Sequence, residues 1–146
     1  MAYKGKFQPR NPQKYLGDPT NIIYRSGWEL KFMGWLDNHP GVVQWGSEEL
    51  IIPYRSPIDG RIHRYFPDFT VKKKTPEGKI ETVVVEIKPK AQCSPPKIIN
   101  KPNKRYITEV QTWGINSSKW EAATSYCKDR GWKFEILTEI ELGITF

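Results

Sequence analysis

Arg64-Tyr65-Phe66-Pro67-Asp68 and, beyond a turn at Thr75-Pro76-Glu77-Gly78, Thr82-Val83-Val84-Val85-Glu86-Ile87-Lys88 decide how this chain folds. Thr82 to Val85 are β-branched without a break, which suits a central strand. The pattern predicts one strand over residues 61–71 and another over 80–88, made neighbours by the turn between them. Pro67-Asp68 then sits towards the end of the first strand and Glu86-Ile87-Lys88 at the end of the second. Alternation places Glu86 and Lys88 on one face, and pairing of neighbouring strands can bring Asp68 close to Glu86.

Working outward, residues 42–45 and 49–54 read as short strands, with a turn at Ser56-Pro57-Ile58-Asp59-Gly60. Ahead of them Ser26-Gly27-Trp28-Glu29 fits a capping box, in which the Ser hydroxyl and the Glu carboxylate satisfy free amides at a helix start. Trp28, Phe32, Trp35 and Leu36 keep to one helical face, and Asn38-His39-Pro40-Gly41 stops the helix. Residues 1–25 hold Lys4, Lys6, Arg10, Lys14 and Arg25 against the single acid Asp18, broken by prolines and glycines. They read as an extended basic arm, lying on DNA, on a protein partner or in solvent. The remaining residues, 26–146, form a single domain.

After the Val-rich strand, residues 89–102 are a proline-rich basic loop. Two helices are expected next, one near residues 104–113 and one from Ser117 or Ser118 to Arg130. Ser118-Lys119-Trp120-Glu121 is a second capping box and Gly131 the stop. Residues 132–137 are a last strand. The order α, three or four β, two α, β predicts an α/β domain with a mixed β-sheet flanked by helices.

The chain has 146 residues, which suits one domain, and six Trp among 13 % aromatics supply a core without staples. The net charge of +7 favours polyanionic partners, because neutralised phosphates release counterions. Cys93, Cys127, His39 and His63 lack zinc-site spacing. The first ten residues carry no apolar run and no stretch approaches a membrane span, so the expectation is an intracellular protein with no membrane partner.

Phosphodiester hydrolysis needs a hard cation that stabilises charge on phosphate and acidifies a water. Mg²⁺ takes oxygen ligands, commonly one or two carboxylates plus waters, and Mn²⁺ can substitute. Asp68 and Glu86 are suited to be those carboxylates, and the Ile87 backbone carbonyl to be a further ligand. The metal would also relieve the mutual repulsion of the two acids. Lys88 is placed to position the nucleophile or steady charge in the transition state. Glu-x-Lys on a strand is also a common solvated face, and Pro-Asp a common turn. It is their pairing on adjacent strands that points to a site. Lys90, Lys97, Lys101, Lys104 and Arg105, in and after the proline-rich loop, are candidate contacts to a DNA backbone. Arg61, Arg64 and Lys72 to Lys74 form a second basic group, read as a solvated strand end. Trp113, Trp120, Tyr126 and Trp132 are expected in the core rather than stacked on bases, and Glu109 and Gln111 on the helix after the site.

Pro67-Asp68 followed by Glu86-Ile87-Lys88, behind a helix bearing Glu29, resembles the PD-(D/E)XK nuclease superfamily, which implies a restriction-endonuclease-like core. In that superfamily an acid on the first helix often completes the metal site. Glu29 occupies that position, and the reading as a helix cap stands beside it. A more specific similarity runs over nearly the whole chain, to the head completion nucleases of T-even-like tailed phages. It is carried by Met1-Ala2-Tyr3-Lys4-Gly5-Lys6, Lys14-Tyr15-Leu16-Gly17-Asp18-Pro19, Tyr24-Arg25-Ser26-Gly27-Trp28-Glu29 and Trp45-Gly46-Ser47-Glu48. Arg64-Tyr65-Phe66-Pro67-Asp68, Glu86-Ile87-Lys88-Pro89-Lys90, Lys119-Trp120-Glu121-Ala122-Ala123 and Ile136-Leu137-Thr138-Glu139 carry it further. A more distant similarity is to the endonuclease subunit of heteromeric transposases. These resemblances imply a metal-dependent DNA endonuclease in the virion, at the head–tail connector. It would process the packaged DNA end, with portal, head or neck proteins as partners. The alternatives are a non-catalytic DNA-binding head or neck protein and a structure-selective junction resolvase.

Overall fold

Every residue from Thr82 to Ile87 is buried, as a strand covered on both faces requires. The computed structural model describes residues 4–143, so residues 1–3 of the quoted opening stretch lie outside the described residues. In chain order the elements are strands β1 (Gly5–Phe7) and β2 (Ile22–Tyr24), helix α1 (Gly27–Asn38), and strands β3 (Val42–Ser47), β4 (Ile52–Arg55), β5 (Ile62–Tyr65), β6 (Phe69–Lys74) and β7 (Ile80–Ile87). Helix α2 (Lys104–Asp129), strand β8 (Lys133–Leu137) and the short helix α3 (Glu139–Leu142) follow. The central sheet has the order β3-β6-β7-β8, with β1-β2 and β4-β5 as separate two-stranded ribbons. The β6–β7 hairpin is antiparallel, whereas β8 returns parallel to β7 after α2. The sheet is therefore mixed, as expected.

One face of the sheet packs Phe69, Val71, Val83, Val85 and Ile87 against Phe32, Met33 and Leu36 of α1. Across the sheet, Ile52, Tyr54 and Tyr65 of the β4–β5 ribbon pack with Trp120 and Ala123 of α2. Each fully buried Val, Ile or Phe contributes roughly 1.5–3 kcal/mol, so these two layers dominate stability. Trp113 and Trp120 meet edge to face at 6.0 Å, and Tyr126 lies 6.1 Å from Trp132. Trp113, Trp120 and Tyr126 serve the core on this side of the sheet, as expected, whereas Trp132 packs on Tyr126 outside it.

Four expectations need correction. The strand over 61–71 is two strands in different sheets, β5 with β4 and β6 with β3 and β7. Pro67 has no N–H and a fixed φ, so Phe66-Pro67-Asp68 steps the chain from ribbon to sheet. The two helices after the loop are one 26-residue helix. Gly114 inside a helix costs only about 1 kcal/mol, less than the packing of Trp113 and Trp120 returns. Ser117 does not cap; its hydroxyl donates to the Trp113 carbonyl one turn back at 2.8 Å. Helix α3 was not foreseen, although Thr138 and Glu141 form a complete capping box at its start.

The basic arm is the largest correction. β1 pairs antiparallel with β2, and Tyr15 and Ile22 are buried in the α1-side core. The Lys14 ammonium donates to the carbonyls of Leu36, Asp37 and His39 at 2.8, 3.0 and 2.9 Å, capping the end of α1. Asp37, buried at that same end, accepts from the amides of Arg10 and Asn11. Counting charges and prolines concealed two apolar anchors and one capping lysine. In the second basic group, Lys73 shares Glu81 with Lys133 of β8, at 3.9 and 2.6 Å.

Candidate active site

Phe69 pairs with Val85 across the β6–β7 hairpin. Asp68 immediately precedes β6, and continuing this register by one residue brings it level with Glu86, whose charge acts on it. The Asp68 carboxylate accepts the Ile87 N–H at 2.7 Å, which pins it to the end of β7. Its own carbonyl accepts the Glu48 amide at 3.1 Å. Lys88 leaves the sheet edge with its amide bonded to Leu137 of β8 at 3.0 Å.

Glu86 is 6 % exposed, and its Oε1 has no hydrogen-bond partner. An acid in the middle of a Val-rich strand is costly unless something compensates it. Burial pushes the Asp68 carboxyl up to about 8, and the charge of Glu86 adds to the rise. The Ile87 amide and the Lys88 ammonium act the other way on Asp68, and Glu29 adds a smaller upward push. The four groups Asp68, Glu86, Lys88 and Glu29 thus come together at one end of the sheet.

Ser26 caps α1 by accepting the Glu29 amide at 3.1 Å. The Glu29 carboxylate reaches the Ser26 hydroxyl only at 3.4 Å and is half-buried. Burial raises its pKa, with the charge of Glu48 adding to the effect. Cap and site are therefore not exclusive roles: the backbone of Glu29 serves the cap while its carboxylate faces the acids.

Two residues near the site went unnoticed in the sequence. Tyr65 is buried with an unpartnered hydroxyl, and burial plus the charge of Glu86 drives its phenol strongly up, so it stays protonated. Glu48 adopts φ 53°, uncommon for a residue with a side chain, and holds Arg25 through two hydrogen bonds of 2.9 and 3.1 Å. No local pattern marks either, since both owe their position to strands brought together by folding.

The donor set fits a hard cation. Asp68 and Glu86 offer carboxylate oxygens, one of them buried without a partner, and a divalent ion would remove the cost of both. Among the described residues no three or more His, Cys, Asp or Glu side chains are close enough together to hold a metal ion, so Glu29 does not join Asp68 and Glu86 in a three-acid set. Mg²⁺ does not need one, because it keeps several waters.

The candidate DNA-binding residues are less concentrated. Lys90, Lys97, Lys101, Lys104 and Arg105 are all exposed. The Lys90 amide donates to the Glu139 carboxylate, which ties the start of the loop to α3. Arg105 pairs with Glu109 one turn along α2 at 3.2 Å. The loop rests against the first half of α2, and the cleft between them is lined by Gln92, Trp113 and Asn116 among others.

Two comparisons with known proteins place the chain in a family. The family model described as TnsA-like endonuclease N terminal matches residues 39–139. That span contains Asp68, Glu86, Ile87 and Lys88 and begins after Glu29. The head completion nuclease of Enterobacteria phage T4 is 43 % identical over 143 residues, covering 95 % of this chain and 93 % of the phage protein.

Proposed function

Since the chain belongs to the TnsA-like endonuclease family and to the head completion nucleases, we propose that it is a Mg²⁺-dependent DNA endonuclease acting in phage head completion. Processing of the packaged DNA end before the tail joins is the step assigned to it, with portal, head or neck proteins as partners and the virion connector as its place. The observation that carries the catalytic reading is the buried carboxylate of Glu86 with an unpartnered oxygen, set opposite Asp68 and next to Lys88.

Asp68, Glu86 and the Ile87 carbonyl would hold the ion, with Glu29 reaching it at most through a bound water; Mn²⁺ suits the same oxygens. When bound, the ion supplies Lewis-acid stabilisation of the phosphate and a more acidic water. The Ile87 N–H fixes which Asp68 oxygen remains free, because the other is already committed at 2.7 Å. Lys88 brings a positive side chain to the sheet edge beside Asp68, where it steadies negative charge on the reacting phosphate. Tyr65, held neutral, closes the buried side of Glu86. The net charge of +7 supports association with the DNA backbone without base reading.

The test is incubation of the purified protein with single-stranded, double-stranded and branched DNA, with Mg²⁺, with Mn²⁺ and with chelator. Cutting is expected with either ion and is abolished by chelator and by Asp68→Ala. Cutting that persists in chelator refutes metal dependence. Normal particle assembly with Asp68→Ala or Lys88→Ala refutes a catalytic role in head completion.

A further inference from the structure

We propose that Tyr65 is a positioning residue of the endonuclease site: its hydroxyl holds the sealed oxygen of Glu86, so that the carboxylate presents its other oxygen to the metal ion. The inference rests on the endonuclease reading above and adds what fixes one of its two carboxylates.

Among the described residues four buried side-chain polar atoms lack a hydrogen-bond partner, and two of them, Tyr65 Oη and Glu86 Oε1, belong to side chains that act on one another. Native interiors rarely keep such atoms, and each needs an explanation. These two are complementary. A phenol keeps its proton at neutral pH and can donate it, and an ionised carboxylate only accepts. After burial, Glu86 is the largest influence on the Tyr65 phenol, through its charge and as an acceptor, and Asp68 acts on it more weakly. Neither atom has completed a hydrogen bond. A position that needed only a ring for the core would be served by Phe, without the cost of burying a hydroxyl.

The ring is held where the hydroxyl can serve. Tyr65 ends β5, paired with Ile52 of β4, and is 3 % exposed. It packs with Trp120 and Ala123 of α2, and the Lys119 ammonium lies 5.5 Å from its ring centroid. Strand, helix and cation leave the ring little freedom. Of the Glu86 oxygens, Oε1 is sealed from solvent, and Oε2 is not among the sealed atoms. A donor on Oε1 gives that oxygen its partner and stops the carboxylate from turning, which leaves the open oxygen aimed outward. Tyr65 is also three residues before Asp68, so one carboxylate is tied to it along the chain and the other across the fold.

The experiment measures Mn²⁺ binding to the full chain without DNA, by electron paramagnetic resonance of the free ion, with melts in chelator to show that each variant is folded. Tyr65→Phe, which keeps the ring and removes the hydroxyl, should bind Mn²⁺ about tenfold more weakly than the parent. Its turnover at a fixed Mn²⁺ concentration should fall while KM for DNA stays, a split that a hydroxyl of merely structural role would not produce. Tyr54→Phe, which removes a phenol hydroxyl from the same ribbon, should bind Mn²⁺ as the parent does. Equal Mn²⁺ binding by Tyr65→Phe and a parent that cuts DNA overturns the positioning role and leaves the endonuclease standing. Weakening by Trp120→Phe and not by Tyr65→Phe gives the role to the indole N–H, another sealed donor of this layer, and overturns the assignment as well. A parent that neither binds Mn²⁺ nor cuts DNA overturns both readings. Weakened Mn²⁺ binding by Tyr65→Phe, beside a parent that binds the ion and never cuts, keeps the positioning role and overturns the endonuclease.

Discussion

Replacing Asp68 by Asn should make the metal-free protein more stable while destroying its activity. The folded protein holds the Asp68 proton up to a pH of about 8, because burial and Glu86 oppose its ionisation. The unfolded chain releases that proton near the ordinary value of about 4. A raised folded pKa means that the favourable contribution is complete below about pH 4 and is lost as pH climbs through 8. Each pH unit across that window is worth about 1.4 kcal/mol, so the ceiling at pH 7 is about 4 kcal/mol. Asp68 is only partly buried, and solvent screening on its open side reduces this to about 2 kcal/mol. Asn cannot ionise, and its carbonyl oxygen can still accept the Ile87 amide. For a chain of this size the gain corresponds to a Tm about 6–8 °C higher in chelator at neutral pH. Thermal melts of both proteins from pH 4.5 to 8.5 should show a gap that opens with pH. Adding Mg²⁺ should reverse the order, since only the parent keeps both carboxylates to bind the ion. A variant that melts below the parent in chelator at pH 7 to 8, or a gap insensitive to pH, refutes the reasoning.

Lys88→Met should lower single-turnover cutting by about 10²-fold or more, while the rise in Tm produced by Mg²⁺ stays, since Lys88 is not a ligand. Lys14→Met leaves three carbonyls at the end of α1 without their ammonium, at a cost of about 2 kcal/mol; urea unfolding at neutral pH reads it, and the cutting rate per folded molecule should not change. Burial pushes the Tyr15 hydroxyl up to about 12, so its contribution to stability is complete below about pH 10 and falls away as pH rises through 12. The urea midpoint should show that loss, and Tyr15→Phe should remove this limb of the profile.

Local chemistry determined much of this protein before any tertiary contact. The unbroken Thr82-Val83-Val84-Val85 run suits a central strand, and the Thr75-Pro76-Glu77-Gly78 turn makes its predecessor its neighbour, as the β6–β7 pairing has it; alternation then predicts Asp68 near Glu86 with Lys88 on the same face as Glu86. The start of α1 at Ser26 was equally legible, because a cap is a contact within a few residues. Folding decided the rest, where the partner is distant in sequence. Gly114 and Ser117 look like a helix break until Trp113 and Trp120 pack against the β4–β5 ribbon and hold the helix straight through them. Residues 4–25 look like a solvated arm until Lys14 finds the end of α1 and Ile22 the core. The burial that pushes Asp68 up, the strained turn at Glu48 and the unpartnered oxygen of Glu86 are likewise products of assembly. Burial and charge proximity are properties of a packed volume, and periodicity along the chain records only which side of its own element a residue faces.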